Sequence, residues 1–245
     1  MTADFIPFIL LVLSAYLLGS VPAAYLAAKL SRGIDLRQYG SGNVGASNLM
    51  RATSKRIAIP IIIFDIGKGM ILVYLAKEMD MVVYQQVVVG VAVIMGHNWP
   101  VFLRFNGGRG ILTALGVTFM LVPWLGLVAL VIAFSLAPFR QLALGVIIAV
   151  VVLPPLSWFF NSPLGITEKL PVTLGFLLLF LIIVCRRLTA PQAAVATSIG
   201  KRQLFINRLF FDRDIRDRKA WIDRSPAQGD STEQSLEQRR RRRKG

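Results

Sequence analysis

Long apolar segments alternate with short polar segments along most of the chain, a pattern typical of helices that cross a membrane several times. A spanning helix needs about 20 apolar residues, with a range of about 17 to 25. The clearest apolar segments cover residues 5–28, 57–76, 81–95, 142–160 and 170–184. The pattern therefore predicts an all-α integral membrane protein, surrounded by membrane lipids.

The first apolar segment is predicted to be a retained span and not a cleaved signal peptide. A signal peptide begins with positive charge, whereas residues 1–4 carry only an acidic group and the basic residues follow the apolar run. Because Lys and Arg concentrate in cytoplasmic segments, we expect the N-terminus outside and Lys29 and Arg32 inside.

Residues 111–137 form an apolar run that is longer than one span requires. As a single helix, at about 1.5 Å per residue, the run would reach about 40 Å, against about 30 Å for the hydrocarbon core. Pro123 interrupts it, so two short helices are the alternative. A double crossing keeps Arg140 and the basic C-terminal region on the side of Lys29, as the positive-inside rule favours. We therefore predict about seven crossings, two of them short, with a cytoplasmic C-terminus.

Composition narrows the class of protein further. The chain is 55% hydrophobic and 17% charged, with a mean hydropathy of +0.60, which excludes an ordinary soluble domain. It contains one cysteine, Cys185, and one histidine, His97. An internal disulfide, a multi-cysteine metal site and a histidine metal cluster are thereby excluded within one chain, and no metal or cofactor is expected.

The C-terminal region differs from the rest in being strongly charged. We expect a membrane-embedded domain over residues 1–200, a possible interfacial amphipathic helix over 201–222 and a disordered polybasic tail over 223–245. A polybasic segment beside a span meets anionic lipid headgroups more often than nucleic acid. We therefore expect lipid headgroups as the partner of the tail, and no nucleic acid.

The first long polar loop contains Gly40-Ser-Gly-Asn-Val-Gly45, which matches the dinucleotide-binding pattern G-x-G-x-x-G. That pattern has meaning only after a strand in a βαβ unit, and here a membrane span precedes it, so dinucleotide binding is rejected. Glycines still allow backbone N–H groups to form an anion-binding nest. A polar turn without a ligand is the alternative. The candidate phosphate-binding residues of this loop are Gly40, Ser41, Gly42, Asn43, Gly45, Ser47, Asn48 and Arg51.

A second glycine-rich loop runs from Gly96 to Gly110 and directly precedes an apolar helix. The free N–H groups and positive dipole end of that helix favour an anion, and Arg109 adds a cation. We expect Gly107, Gly108 and Gly110 to bind phosphate there. His97 is either a base, an orienting donor or a structural hydrogen-bonding group.

Asp65 and Lys68 interrupt the second apolar segment. Ionisable groups at membrane depth are unfavourable and usually face the interior of a helix bundle, where they mark a site. Their i, i+3 spacing places them on one helix face, so a purely structural ion pair is the alternative. Gly67 and Gly69 suggest close packing against a neighbouring helix.

Three segments, residues 40–51, 65–69 and 96–110, together resemble the three motifs of the bacterial acyl-phosphate-dependent glycerol-3-phosphate acyltransferases, a family of integral membrane enzymes. The order, spacing and intervening spans agree over residues 1–187. The resemblance implies a seven-span fold in the bacterial inner membrane, with the active site facing the cytoplasm. It implies acyl transfer from acyl phosphate to the 1-hydroxyl of glycerol 3-phosphate, giving lysophosphatidic acid and inorganic phosphate in phospholipid synthesis.

The resemblance also implies roles for particular residues. Catalytic roles fall to Ser41, Asn43, Arg51, His97 and Arg109, and phosphate binding extends to Ser47, Asn48, Lys68 and the glycines of both loops. The family usually has a lysine before and a lysine within the second glycine turn, where this chain has Asn106 and Arg109. Its C-terminal histidine and asparagine are replaced by Arg202 and Phe205.

The sequence favours a mechanism with little acid–base chemistry. The His-x4-Asp pair of other lipid acyltransferases is absent, because Phe102 stands five positions after His97. Nothing in the sequence places a carboxylate beside the histidine. We hypothesise that the enzyme positions two phosphates and that the departing phosphate accepts the hydroxyl proton. A transporter of organic phosphates and a catalytically silent lipid-binding relative are alternatives, and the oligomeric state is left open.

Overall fold

The computed structural model describes residues 5–193 and 196–222, and every regular element within these ranges is helical. The all-α prediction is therefore confirmed, and the predicted tail over 223–245 lies outside the described residues. The helices are α1 Phe5–Gly19, α2 Ala23–Arg32, α3 Ala46–Ala52, α4 Lys55–Glu78, α5 Val83–Asn98, α6 Ile111–Leu121, α7 Pro123–Ser135, α8 Leu142–Phe159, α9 Lys169–Leu188, α10 Lys201–Phe211 and α11 Arg218–Ile222.

Five segments are long and apolar enough to cross a membrane: Phe5–Arg32, Lys55–Glu78, Val83–Leu103, Leu142–Phe159 and Lys169–Leu188. They coincide with the five predicted apolar segments. The first is not one continuous helix, because the chain breaks at residues 20–22 between α1 and α2. Pro22 explains the break, since a proline disfavours helical geometry in the residue before it and supplies no N–H group.

The apolar run over 111–137 consists of two short helices, α6 and α7. Val122 is extended, and Pro123 occupies the first position of α7, where its missing N–H is harmless. Gly126 packs against the backbone and ring of Phe119, although a continuous helix would separate these two residues by about 10 Å. The chain therefore reverses at Val122, so α6 and α7 form a hairpin. About seven crossings in total stays a prediction.

Close helix contacts hold the bundle together. Gly19 packs on the backbone of Val93 in α5, and Gly69 in α4 packs on the backbone of Thr113 in α6. A side chain at either glycine would overlap the neighbouring backbone. Gly67 has open space around it, so the expected close packing applies to Gly69 alone.

Several helix ends meet at one end of the bundle. Tyr16 in α1 donates to the Trp99 carbonyl oxygen after α5, and Arg187 in α9 donates to the Ala143 carbonyl oxygen in α8. Arg186 reaches the carbonyl oxygen of Gly107 in the loop before α6. The last turn of α9 therefore lies at the same end as the start of α6. This common end holds the candidate site.

Candidate active site

The three sequence motifs meet around one pocket of about 240 Å³, a volume that includes its open mouth. Val44 comes from the first motif, Asp65 from the second, and His97, Gly107 and Gly108 from the third. The remaining lining comes from the break between α1 and α2 and from the turn after α5: Gly19, Ser20, Val21, Pro22, Ala23, Ala24, Pro100 and Leu103.

Asp65, Lys68 and His97 form a polar cluster at the inner wall of this pocket. Lys68 Nζ lies 2.7 Å from Asp65 Oδ1 and 2.9 Å from His97 Nδ1, and it donates to the Gly19 carbonyl oxygen at 3.3 Å. The Asp65 and Lys68 side chains are 4% and 1% exposed. Two charges this deep are tolerated only because each neutralises the other. Direct contact of Lys68 with a phosphate stays a prediction, and it would require one of these bonds to break.

The structure also brings a carboxylate to the histidine, which sequence reasoning missed. Asp65 Oδ1 lies 3.5 Å from His97 Nδ1, although 32 positions separate the residues in the chain. The spacing within α4 gave no signal for this contact, because it depends on how α4 crosses the end of α5. Lys68 approaches the same nitrogen more closely than Asp65 does.

The third-motif loop folds back on the end of α5. Gly107 and Gly108 donate from their backbone nitrogens to the carbonyl oxygens of Asn98 and His97, at 3.3 and 3.1 Å. A Cβ on Gly108 would overlap His97 Nε2, and a Cβ on Gly110 would overlap Asn98 Oδ1. Gly110 has a φ of +71° as it precedes α6, a second reason for glycine there. The turn therefore holds peptide groups against the pocket where side chains would fill it.

Two buried polar side chains beside this loop have no hydrogen-bond partner within the described ranges. Asn98 is fully buried with both amide atoms unpaired, and Ser20, which lines the pocket, has an unpaired hydroxyl. Unpaired buried polar groups are unfavourable and call for a ligand or water. Sequence reasoning missed Ser20, whose only signal was a Ser-Val-Pro step inside an apolar segment.

The first-motif loop is shaped by Asn48. Its amide nitrogen donates to the carbonyl oxygens of Leu36, Tyr39 and Asn43, at 3.1, 2.9 and 3.0 Å, and its Oδ1 accepts from the Ser41 backbone nitrogen. The side chain is thus fully engaged by the loop itself. The structure places Asn48 as the organiser of the predicted phosphate cradle, and its direct contact with a ligand stays a prediction.

Arg51 lies at the end of α3, and no carboxylate pairs with it among the residues that the structure describes. Desolvation lowers its pKa, and repulsion from the neighbouring Arg218 guanidinium lowers it further. A cation with a cationic neighbour and no counter-ion favours an anionic ligand.

Arg109 points away from the pocket lining and joins the C-terminal region. Its Nε donates to Asp212 Oδ1 at 2.7 Å, and its Nη1 donates to the Arg186 carbonyl oxygen at 3.3 Å. Arg186 in turn donates to the carbonyl oxygens of Gly108 and Gly107, at 3.0 and 2.8 Å. These bonds fix the glycine turn to the end of α9. Of the predicted site residues, the pocket lining includes Asp65, His97, Gly107 and Gly108. The others lie outside it: Gly40, Ser41, Gly42, Asn43, Gly45, Ser47, Asn48, Arg51, Lys68, Arg109 and Gly110.

The family model described as glycerol-3-phosphate acyltransferase matches residues 9–195. "Glycerol-3-phosphate acyltransferase 5" of Dehalococcoides mccartyi is 46% identical over 220 residues, which cover 90% of this chain and 94% of that protein. The glycerol-3-phosphate acyltransferase of Endomicrobium trichonymphae is 39% identical over 199 residues, covering 80% of this chain and 96% of the relative.

Two solved structures have a similar fold. Both are crystal structures of PlsY (YgiH), described as an integral membrane glycerol 3-phosphate acyltransferase, in a glycerol 3-phosphate form and a lysphosphatidic acid form. The first has a TM-score of 0.66 at 32% identity and the second 0.64 at 30%. Each match covers 74% of this chain and 88% of the solved chain.

Proposed function

The chain belongs to the glycerol-3-phosphate acyltransferase family, and we propose that it transfers a fatty acyl group from acyl phosphate to the 1-hydroxyl of glycerol 3-phosphate. The products are lysophosphatidic acid and inorganic phosphate. The observation that carries this proposal is the convergence of all three motifs on one pocket, whose wall includes the Ser20 hydroxyl, unpaired within the described ranges. The crystal forms of the related enzyme, with glycerol 3-phosphate and with lysphosphatidic acid, match the proposed substrate and product.

Acyl phosphate is a mixed anhydride and needs little further activation. The hydroxyl oxygen attacks the carbonyl carbon, the bond between that carbon and the bridging oxygen breaks, and the phosphate leaves with the electron pair. The departing phosphate accepts the proton that the hydroxyl loses, so no protein base is required. The protein contributes by holding the two substrates together and by stabilising charge on the oxygens.

Two loops with features of anion-binding sites support a protein that mainly holds the two phosphates. The glycine turn before α6 presents a helix N-terminus beside the Asn98 amide, which has no partner in the part of the chain that the structure describes. The first-motif loop turns through Gly40 and Gly42 at positive φ, but the N–H groups of Ser41 and Gly42 are bonded within the loop. The cation for an anion there is Arg51, which pairs with no carboxylate among the described residues. We assign one phosphate to each loop.

The chain is a multi-pass membrane protein, and we place its site on the cytoplasmic side of the bacterial inner membrane. The support is charge: the loops and helix ends around the site carry most of the basic residues between Lys29 and Arg208. The opposite end carries Glu78, Asp80 and Glu168. Cytoplasmic loops are the ones that accumulate Lys and Arg.

A reconstitution assay tests the function against its alternatives. The purified protein in detergent receives acyl phosphate and glycerol 3-phosphate, alone and together. We expect phosphate release and lysophosphatidic acid formation only with both substrates. Uptake of glycerol 3-phosphate into proteoliposomes without acyl transfer would identify a transporter. Neither activity, from a protein that remains folded, would identify a silent relative.

A further inference from the structure

The hydrogen bonds of Lys68 determine which nitrogen of His97 carries a proton. A lysine ammonium has three N–H donors and no acceptor. Lys68 has three acceptors around it: Asp65 Oδ1 at 2.7 Å, His97 Nδ1 at 2.9 Å and the Gly19 carbonyl oxygen at 3.3 Å. Every donor therefore has one partner, and the imidazole Nδ1 is one of the acceptors.

The opposite arrangement is unfavourable. If His97 Nδ1 carried the proton, its acceptor would be Asp65 Oδ1 at 3.5 Å, too long for a good hydrogen bond, while the Lys68 ammonium would face it at 2.9 Å, two donors against each other. A neutral Lys68 would remove that conflict but leave the Asp65 carboxylate, 4% exposed, without its counter-charge. A doubly protonated ring would place a second cation beside Lys68. The neutral ring with its proton on Nε2 satisfies Lys68 and Asp65 and leaves Nε2–H as the one donor of this cluster without a partner among the described residues.

The Nε2 edge of the ring faces the third-motif turn. Gly108 packs directly against Nε2, and no hydrogen bond to this nitrogen is present within the described part of the chain. His97 is 11% exposed and lines the pocket with Asp65 and Gly108. The proton on Nε2 is thus the donor that the ring can offer to a bound molecule.

We propose that Lys68 is a positioning residue that holds His97 as the neutral Nε2–H tautomer, and that His97 is a catalytic hydrogen-bond donor and not a general base. Its acceptor is an oxygen of the acyl phosphate that gains negative charge as the carbonyl is attacked. Naming this acceptor rests on the proposed function, whereas the tautomer does not. A general base at Nε2 would require an unprotonated nitrogen there, with the proton on Nδ1.

The single histidine makes a direct test possible. Protein grown with ¹⁵N-histidine gives one set of ring signals, and long-range ¹H–¹⁵N correlations identify the protonated nitrogen. We expect Nε2 protonated and Nδ1 unprotonated at neutral pH in wild-type protein without substrate, and loss of this preference in Lys68→Met. A proton on Nδ1, or on both nitrogens, in the wild type would overturn the proposal. Neither spectrum depends on turnover, so failure here is distinguishable from failure of the proposed function.

Two substitutions of His97 distinguish a hydrogen-bond donor from a general base. The amide of His97→Gln reaches the Nε2 position, and that of His97→Asn reaches the Nδ1 position, so neither supplies a base but only the first can donate into the pocket. Loss of one such donor lowers kcat by about 10²- to 10³-fold in other enzymes. We expect that loss for His97→Asn and a loss of about tenfold or less for His97→Gln. Equal, severe losses in two folded variants would indicate a base, and two unchanged rates would indicate no catalytic role.

Discussion

Asn48 is the single side chain on which the shape of the first-motif loop most depends. Removing its amide in Asn48→Ala leaves the Asn43 carbonyl oxygen and the Ser41 N–H group without the partner they have here, and it takes one of two donors from the carbonyl oxygens of Leu36 and Tyr39. An unsatisfied buried group costs about 1–3 kcal/mol, so we expect a clearly lower melting temperature and a large loss of kcat/KM. Thermal denaturation in detergent and steady-state kinetics measure both. Gln38→Ala, an exposed change in the same loop, should leave both unchanged, and an equally stable Asn48→Ala would refute the assignment.

Arg51 is expected to contribute chiefly to phosphate binding. A hydrogen bond to a charged group contributes about 1.5–3 kcal/mol, so Arg51→Ala should lower kcat/KM by about 10- to 100-fold. Arg51→Lys keeps the charge but loses the planar fork, and should recover only part of the loss. Arg56→Ala, at the exposed start of α4, is the matched control. Unchanged kinetics in Arg51→Ala would remove this residue from the site.

The sequence marks candidate site residues, but it does not predict the contacts between them. His97, Asp65 and Lys68 stand out in the sequence as candidates, because ionisable groups within apolar segments are exceptional. Their meeting depends on where two helices cross, which a single sequence does not encode locally. The same holds for Ser20, which becomes notable only when the structure shows it buried and, within the described ranges, unpaired.

At the scale of elements, the two glycines beside Lys68 provide a test substitution and its control for the α4–α6 contact. A Cβ at Gly69 would overlap the Thr113 carbonyl oxygen, whereas nothing lies within 4 Å of a Cβ at Gly67. We expect Gly69→Ala to separate α4 from α6 and lower the melting temperature. Gly67→Ala should be neutral or stabilising by up to about 1 kcal/mol, because alanine favours helix. Equal effects in thermal denaturation would contradict the close α4–α6 contact.

The membrane spans were predictable, because the length of an apolar segment is a strong signal. The interruptions within apolar segments were harder to predict. Pro123 marked a possible interruption, but charge placement was needed to favour two short helices, and the contact of Gly126 with Phe119 shows the reversal. The break at Pro22 was not predicted, since the apolar run continues through it. The attachment of α10 to α9 through Arg208 and Asp214 was also missed, because the sequence signal there was only charge.

At the scale of the whole molecule, the proposed function depends on one arrangement of the loops. The first-motif and third-motif loops must lie on the same side of the membrane, so that two phosphorylated substrates can meet in one pocket. The reversal between α6 and α7 keeps the helix ends at Ser135 and Leu188 on the side of the site, which agrees with the distribution of basic residues. The charge pattern predicts this arrangement, and it is supported by Val44 and Gly108 lining the same pocket.

Site-directed thiol labelling tests this arrangement most directly. Cys185, the native cysteine, is exposed and is first replaced by serine. Ser41→Cys, Phe105→Cys and Thr167→Cys are then treated separately with a membrane-impermeant maleimide, in right-side-out and inside-out vesicles. We expect Ser41→Cys and Phe105→Cys to react from the cytoplasmic face and Thr167→Cys to react from the other face. Glycerol 3-phosphate should slow the reaction of Ser41→Cys. Reaction of Ser41→Cys and Phe105→Cys from opposite faces would contradict this arrangement.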